Sequence, residues 1–154
     1  MPSHTMTIQQ IQFGSPEYDS ELRLRYTILR EPLGLQFDPA DLELESGDIH
    51  LAALDENQSV VGCVLLRPAS DTIMKMRQAA VAAHLQGTGI GKQLVAAAEE
   101  YAQLHGYNEI TMHARGYAVS FYEKLGYEVY GEEFTEVTIP HRYMRKILTK
   151  NLNP

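Results

Sequence analysis

The chain has 154 residues, and we expect residues 1–154 to form a single domain. Its formal net charge is −7, so its surface repels phosphate and we expect no nucleic-acid partner. The single cysteine, Cys63, excludes an intramolecular disulfide and is expected to be a buried strand residue. No signal-peptide pattern and no apolar run of about 20 residues is present, so we expect a cytoplasmic protein without a membrane partner.

The first third of the chain predicts one strand, one helix and a long loop. Residues 5–13 alternate between apolar and polar side chains, which predicts a strand. The Ser-Pro-Glu sequence at 15–17 is typical of a helix start, and the helix is expected to run to about Arg30, because a proline and a glycine follow. Residues 31–47 predict a loop, with room for a short helix, that lies over a functional site.

The rest of the chain predicts six strands and two helices. Apolar stretches over 49–54, 59–67 and 72–81 predict three consecutive strands, and residues 89–104 show helical spacing. The remaining predicted elements are a strand over 110–114, a short helix over 118–125, and strands over 127–134 and 142–148. This order predicts an α/β sandwich in which helices flank a mixed central β-sheet of about seven strands.

A glycine-rich turn separates the third of these strands from the long helix. It reads Gln86-Gly87-Thr88-Gly89-Ile90-Gly91-Lys92. Alternate glycines let the backbone approach a ligand, and the amides at a helix start favour phosphate or pyrophosphate. The spacing differs from the dinucleotide-binding fingerprint, and Gln93 stands where a P-loop needs serine or threonine, which disfavours NAD and ATP. A purely structural turn is the alternative.

Three stretches resemble members of the GNAT superfamily of acyltransferases. Gln86-x-x-Gly89-x-Gly91 resembles the family's Q/R-x-x-G-x-G/A signature, and residues 118–127 resemble its A-x-x-F/L-Y-E-K-x-G-F segment. Residues 131–144 are similar to the G-E-E-F-x-E-x-x-I-P-H-x-x-M ending of the small bacterial ElaA-like branch. The resemblance covers the whole chain in the order of its elements. It implies the GNAT fold and an acetyl-CoA-dependent N-acetyltransferase.

The resemblance also implies which residues bind the cofactor. In the family, the turn binds the pyrophosphate of coenzyme A through main-chain amides, and the preceding strand pairs with the pantetheine arm. The residues implied here are Ala79, Ala80, Val81, Gln86, Gly87, Thr88, Gly89, Ile90, Gly91, Lys92 and Tyr122. Arg115 stands where many relatives carry asparagine or glutamine, and it is expected to contact the cofactor or to face the substrate.

Catalysis requires an acid for the departing thiolate and a base for the attacking amine. The resemblance places Tyr122 where the family holds a general-acid tyrosine, although a core tyrosine at helical spacing is the alternative. His141 is the first candidate for the base, because histidine titrates in the right range. The other candidates are Glu31, Glu136, His113 and a chain of water molecules. No spacing typical of a metal site is present, so no metal is expected.

The sequence therefore predicts an enzyme that acetylates a primary amine of a small molecule or a peptide. A homodimer is compatible with the resemblance, since many relatives dimerise. The alternative is a non-catalytic acyl-CoA-binding module, which would keep the glycine turn without needing Tyr122 as an acid. The identity of the acceptor amine is not encoded in any motif of the chain.

Overall fold

The computed structural model describes residues 6–148, and their strands and helices follow the predicted order. The strands are β1 Thr7–Ile11, β2 Ile49–Leu54, β3 Val60–Pro68, β4 Ile73–Val81, β5 Glu109–Arg115, β6 Glu128–Glu136 and β7 Ile139–Ile147. The α-helices are α1 Pro16–Arg25, α2 Pro39–Glu43, α3 Ile90–Leu104 and α4 Val119–Lys124. Residue 5 of the predicted first strand lies outside the described residues. None of the helices found in residues 6–148 has the length and apolar character needed to cross a membrane.

The strands form one mixed sheet in the order β1-β2-β3-β4-β5-β7-β6. All neighbouring strands run antiparallel except β4 and β5, which are parallel. The β4–β5 register extends only from the Ile73–Glu109 pair to the Met76–Met112 pair. Beyond that point the two strands are no longer paired, which opens the sheet at their carboxyl ends.

Helices cover the two faces of this sheet, and β3 contributes side chains to both cores. Val61, Val64 and Leu66 belong to the core that includes the apolar side of α3. Cys63 belongs to the opposite core, which packs against α1. Cys63 is fully buried, as predicted, and burial raises the pKa of its thiol well above the usual value. A buried thiol with a raised pKa is an inert apolar group rather than a nucleophile.

The helix that begins at Pro16 changes its geometry before it ends. The Ser15 hydroxyl accepts a hydrogen bond from the Tyr18 amide at 3.1 Å, which caps the helix start as predicted. After Arg25 the chain continues as a π-helical segment over Tyr26–Arg30. The helical run thus ends near the predicted residue, with a wider last turn. Three short helical pieces follow within the predicted loop, namely Glu31–Leu33, α2 and Leu44–Gly47.

The last hairpin is longer than predicted. Strand β7 begins at Ile139 rather than at residue 142, because Val137 and Thr138 form a tight turn with φ values of +44° and +71°. His141, which precedes the predicted strand over 142–148, is therefore a strand residue paired with Arg115 of β5.

Candidate active site

Two adjoining cavities occupy the opening between β4 and β5. The first, of about 390 Å³, is lined by the glycine turn and the end of β4, and we call it the turn cavity. The second, of about 170 Å³, reaches the β6–β7 hairpin, and we call it the hairpin cavity. The two cavities share the residues Leu29, Ala79, Tyr117, Ala118 and Tyr122. A group at this junction can contact ligands on both sides.

The glycine turn delivers main-chain amides to one end of the turn cavity. Gly89 precedes α3 with a φ of +94°, a conformation that side-chain-bearing residues rarely adopt. The first helical hydrogen bond runs from the Gln93 amide to the Gly89 carbonyl at 3.0 Å, so the amides of residues 90–92 precede it. A Cβ on Gly91 would lie 3.3 Å from the Phe121 ring, which keeps that position small. These amides suit an anionic group.

Most of the predicted cofactor residues line the turn cavity. They are Ala79, Ala80, Val81, Gln86, Gly87, Gly89, Gly91, Lys92 and Tyr122. Three predicted residues do not line it, namely Thr88, Ile90 and Arg115. The Thr88 hydroxyl donates to the Leu85 carbonyl, and the Ile90 side chain is buried in the core. The side-chain amide of Gln86 donates to the Val81 carbonyl at 3.0 Å, which ties the turn to the end of β4.

A bulge in β4 shapes the wall between the cavities. Gln78 has a φ of +55°, and the β3–β4 register shifts opposite it between Cys63 and Leu65. The Gln78 carbonyl accepts a hydrogen bond from the Cys63 thiol at 3.3 Å. Such a bulge redirects the strand beside a site, and here it precedes Ala79 at the junction of the cavities.

Tyr122 lies at this junction and lines both cavities. Its ring is 7% exposed and makes edge contacts with Phe121 and Tyr127. No residue within 6–148 makes a hydrogen bond with its hydroxyl group. Burial, assisted by Tyr117, raises the pKa of Tyr122 to about 12. The phenol is therefore protonated at neutral pH and is available as a proton donor.

Three of the four candidate base residues meet in the hairpin cavity, namely His113, Glu136 and His141. The Nδ1 of His141 donates to the Ile139 carbonyl at 2.9 Å, so Nε2 carries the lone pair of the neutral ring. That Nε2 lies 3.8 Å from Oε2 of Glu136, whose Oε1 accepts from Nδ1 of His113 at 2.9 Å. Glu31, the fourth candidate, lines neither cavity.

Arg115 lines the hairpin cavity and not the turn cavity. Its guanidinium donates to the Leu29 carbonyl at 2.9 Å and to the Tyr117 hydroxyl at 3.4 Å. Of its two predicted roles, this position favours facing the substrate. Arg30 and Arg77 also line the hairpin cavity, and the sequence reasoning missed both. The signal for Arg77 was a charged residue in the middle of a predicted strand, two positions after Lys75.

Comparisons with known proteins identify the family. A model of the acetyltransferase (GNAT) domain matches residues 34–148. The protein YyaT of Bacillus subtilis strain 168, described as uncharacterized, is 32% identical over 117 residues, which cover 76% of this chain and 77% of YyaT.

Solved structures share the fold. Escherichia coli ElaA has a TM-score of 0.77 at 18% identity, over 92% of this chain and 99% of that chain. A GNAT family acetyltransferase from Elizabethkingia anophelis with acetyl-CoA bound has a TM-score of 0.70 at 20% identity, over 93% and 98% of the two chains. The family match extends over most of the described residues, and the seven-stranded sheet agrees with it. The chain belongs to the GNAT family and is an acetyl-CoA-dependent acetyltransferase.

Proposed function

We propose that this acetyltransferase is an N-acetyltransferase in which residues 1–154 form one domain and the acceptor is a primary amine of a small molecule or a peptide. The observation that carries the proposal is the position of Tyr122. This largely buried, protonated residue lies between the turn cavity and the hairpin cavity, which holds a histidine with an available lone pair. A proton donor and a proton acceptor thus flank one reaction centre.

Acetyl-CoA occupies the turn cavity in this proposal. The amides of residues 90–92, at the positive end of α3, bind its pyrophosphate. The pantetheine arm follows residues Ala79–Val81 toward the junction, which brings the thioester close to Tyr122. A main-chain amide of the same segment polarises the thioester carbonyl.

The acceptor amine enters from the hairpin cavity and must lose a proton to attack. His141 Nε2 takes that proton, directly or through water, and the Glu136 carboxylate at 3.8 Å stabilises the imidazolium. The neutral amine forms a bond to the thioester carbon, and the tetrahedral intermediate collapses by breaking the carbon–sulfur bond. Tyr122 gives its proton to the departing thiolate, and the second proton, which the nitrogen loses as the amide forms, returns to the Tyr122 oxygen through water. The products are the N-acetylated amine and coenzyme A.

An acetyl-CoA consumption assay over a panel of amines tests this proposal. The panel contains polyamines, aminoglycosides, amino sugars, amino acids and peptides, and mass spectrometry locates the acetyl group on the product. We expect acetylation at nitrogen, together with a higher melting temperature in the presence of coenzyme A and little change with NAD or ATP. Acetylation at oxygen alone, or stabilisation by NAD but not by coenzyme A, would contradict the proposal.

A further inference from the structure

The hairpin cavity is positively charged although the chain as a whole is acidic. Among residues 6–148, three arginines line the cavity and Glu136 is the single lining carboxylate, whereas the net charge of the chain is −7. The arginines come from three separate elements: Arg30 from the end of the π-helical segment, Arg77 from β4 and Arg115 from β5. The fold therefore concentrates cations at the place where the acceptor enters.

Two of these arginines have no carboxylate partner within residues 6–148. Arg30 donates to the side chain of Gln78 at 3.3 Å and lies over the Phe37 ring. Arg115 donates to the Leu29 carbonyl and to the Tyr117 hydroxyl. Each guanidinium has five N–H donors, so donors remain on both for a ligand.

The third arginine shares its partner. Arg77 lies 3.3 Å from Asp48, which already accepts two hydrogen bonds from Arg67 at 2.6 and 2.9 Å. Burial, together with the neighbouring charge of Arg67, lowers the pKa of Arg77. The cavity thus keeps a cationic excess even after its ion pairs are taken into account.

The surroundings of Arg30 disfavour its positive charge. Burial lowers its pKa, and the nearby charges of Arg25 and Arg115 lower it further. Arg115 approaches because it binds the carbonyl of Leu29, the residue that directly precedes Arg30. Two half-buried cations held together repel each other, and a bound anion relieves that repulsion.

We infer that the acceptor is a small amine that also carries a carboxylate or phosphate group, which Arg30 and Arg115 bind while the amine faces His141 and Tyr122. Guanidinium groups bind both anions through paired N–H donors. The cavity of about 170 Å³ is smaller than the roughly 300 Å³ at the lower end of drug-sized sites, which suits an acceptor the size of an amino acid. This inference rests on the proposed N-acetyltransferase activity.

Matched pairs of amines test the inference. Each free amino acid is compared with its carboxamide, and each aminoalkyl phosphate with the corresponding amino alcohol, so that the anionic group is removed while the carbon skeleton and the amine are kept. We expect kcat/KM to be about tenfold or more higher for the anionic member of at least one pair. The amino acid pairs report on a carboxylate and the aminoalkyl pairs on a phosphate.

Two variants of Arg30 and one control variant test whether the cavity causes the preference for the anionic amine. Arg30→Gln should raise KM for the anionic member about tenfold and leave kcat/KM for the neutral member within a factor of two or three. Arg23→Gln, on the exposed side of the same helical run, is the matched control and should keep the preference. Arg30→Lys should restore part of it, because the charge is kept while the fork of donors is lost.

The outcomes separate this inference from the proposed function. Turnover of polyamines or neutral amines, with the neutral member preferred in every pair, would overturn the inference and leave the N-acetyltransferase proposal intact. Calorimetric titration of the coenzyme A-saturated protein with the same pairs gives a reading that does not need turnover. Binding of an anionic member that Arg30→Gln weakens supports the inference, and equal binding of both members in every pair overturns it.

Discussion

Two regions of this molecule contain the same residue types but differ in how their charges are paired. One is a buried cluster beneath α1, formed by Tyr18, Glu21, Arg25, Glu45 and His50, and the other is the hairpin cavity. Both combine arginine, glutamate, histidine and tyrosine. In the cluster each charge has a partner of opposite sign, whereas in the cavity two arginines have none within residues 6–148.

The charged side chains of the buried cluster bond to one another. Arg25 donates to Glu21 at 3.0 Å and to both oxygens of Glu45 at 2.8 and 2.6 Å, and its Nε alone has no partner within residues 6–148. His50 lies between the Glu21 carboxylate and the Glu45 carbonyl, at 3.2 and 2.9 Å. The Arg25 guanidinium and the His50 ring thus lie against the two carboxylates, and the guanidinium fills the place that a bound cation would take.

The pairing of charges distinguishes a structural cluster from a ligand-binding one. A buried group of charges that is already balanced fixes the packing of α1 on the sheet, and a ligand would add little to it. A cavity with unbalanced charge is unfavourable until a ligand enters. Substitutions in the first region should therefore change stability, and substitutions in the second should change activity or affinity.

The largest expected effect is on stability, and it comes from the cluster. Arg25→Met leaves two buried carboxylates without their cation, so the free energy of unfolding should fall by about 3–5 kcal/mol. Urea denaturation measures this change, and Arg23→Met on the exposed side of α1 is the control. Turnover per folded molecule should be unchanged. A loss of stability below about 1 kcal/mol would mean that the cluster is not the structural unit described.

The second effect is on activity, and it comes from the hairpin cavity. His141→Gln should lower kcat/KM about a hundredfold, because general base catalysis typically contributes that much or more. Coenzyme A affinity should stay nearly unchanged, because His141 lines the hairpin cavity and not the turn cavity. His105→Gln, exposed directly after the end of α3, is the control and should keep the wild-type kcat/KM. A wild-type kcat/KM in His141→Gln would transfer the role of the base to Glu136 or to water.

The third effect is a pH dependence that belongs to the cluster. Burial would lower the pKa of His50, but the hydrogen bond to Glu21 and the charge of Glu21 outweigh it and raise the pKa above 6.5. The stability that this raised pKa contributes is fully present below about pH 6.5 and is lost as pH rises through the folded-state value. Denaturation of the wild type and of His50→Gln across this range isolates that contribution. Parallel pH curves for the two proteins would show that His50 does not titrate as described.

The smallest expected effect is the change in stability on substituting Arg30, which contrasts with the large effect expected for Arg25. Arg30→Gln removes a cation that has no carboxylate partner among the described residues, so stability should stay the same or rise by up to about 1 kcal/mol. The same urea series measures this change. A loss comparable to that of Arg25→Met would show that Arg30 is a structural residue, and the contrast between the two regions would fail.

The order of strands and helices was predictable because it depends on local periodicity. The place of the glycine turn between β4 and α3 and that of Tyr122 on α4 were also predictable, since each motif is concentrated in a few consecutive residues. The cluster and the cavity were not predictable, because their contacts join distant parts of the chain. Arg25 meets Glu45 across 20 residues, and Arg115 meets Leu29 across 86. The start of β7 was missed because residues without glycine form its turn.

The most direct measurement of the proposed mechanism is the turnover of Tyr122→Phe. If the hydroxyl protonates the departing thiolate, kcat should fall about a hundredfold or more, while coenzyme A affinity and the melting temperature stay nearly unchanged. Tyr127→Phe is the matched control, because it removes a neighbouring buried hydroxyl that donates to Glu99 and should cost stability but not turnover. Wild-type turnover in Tyr122→Phe, with the loss confined to its melting temperature, would contradict the account and make Tyr122 a residue of the core.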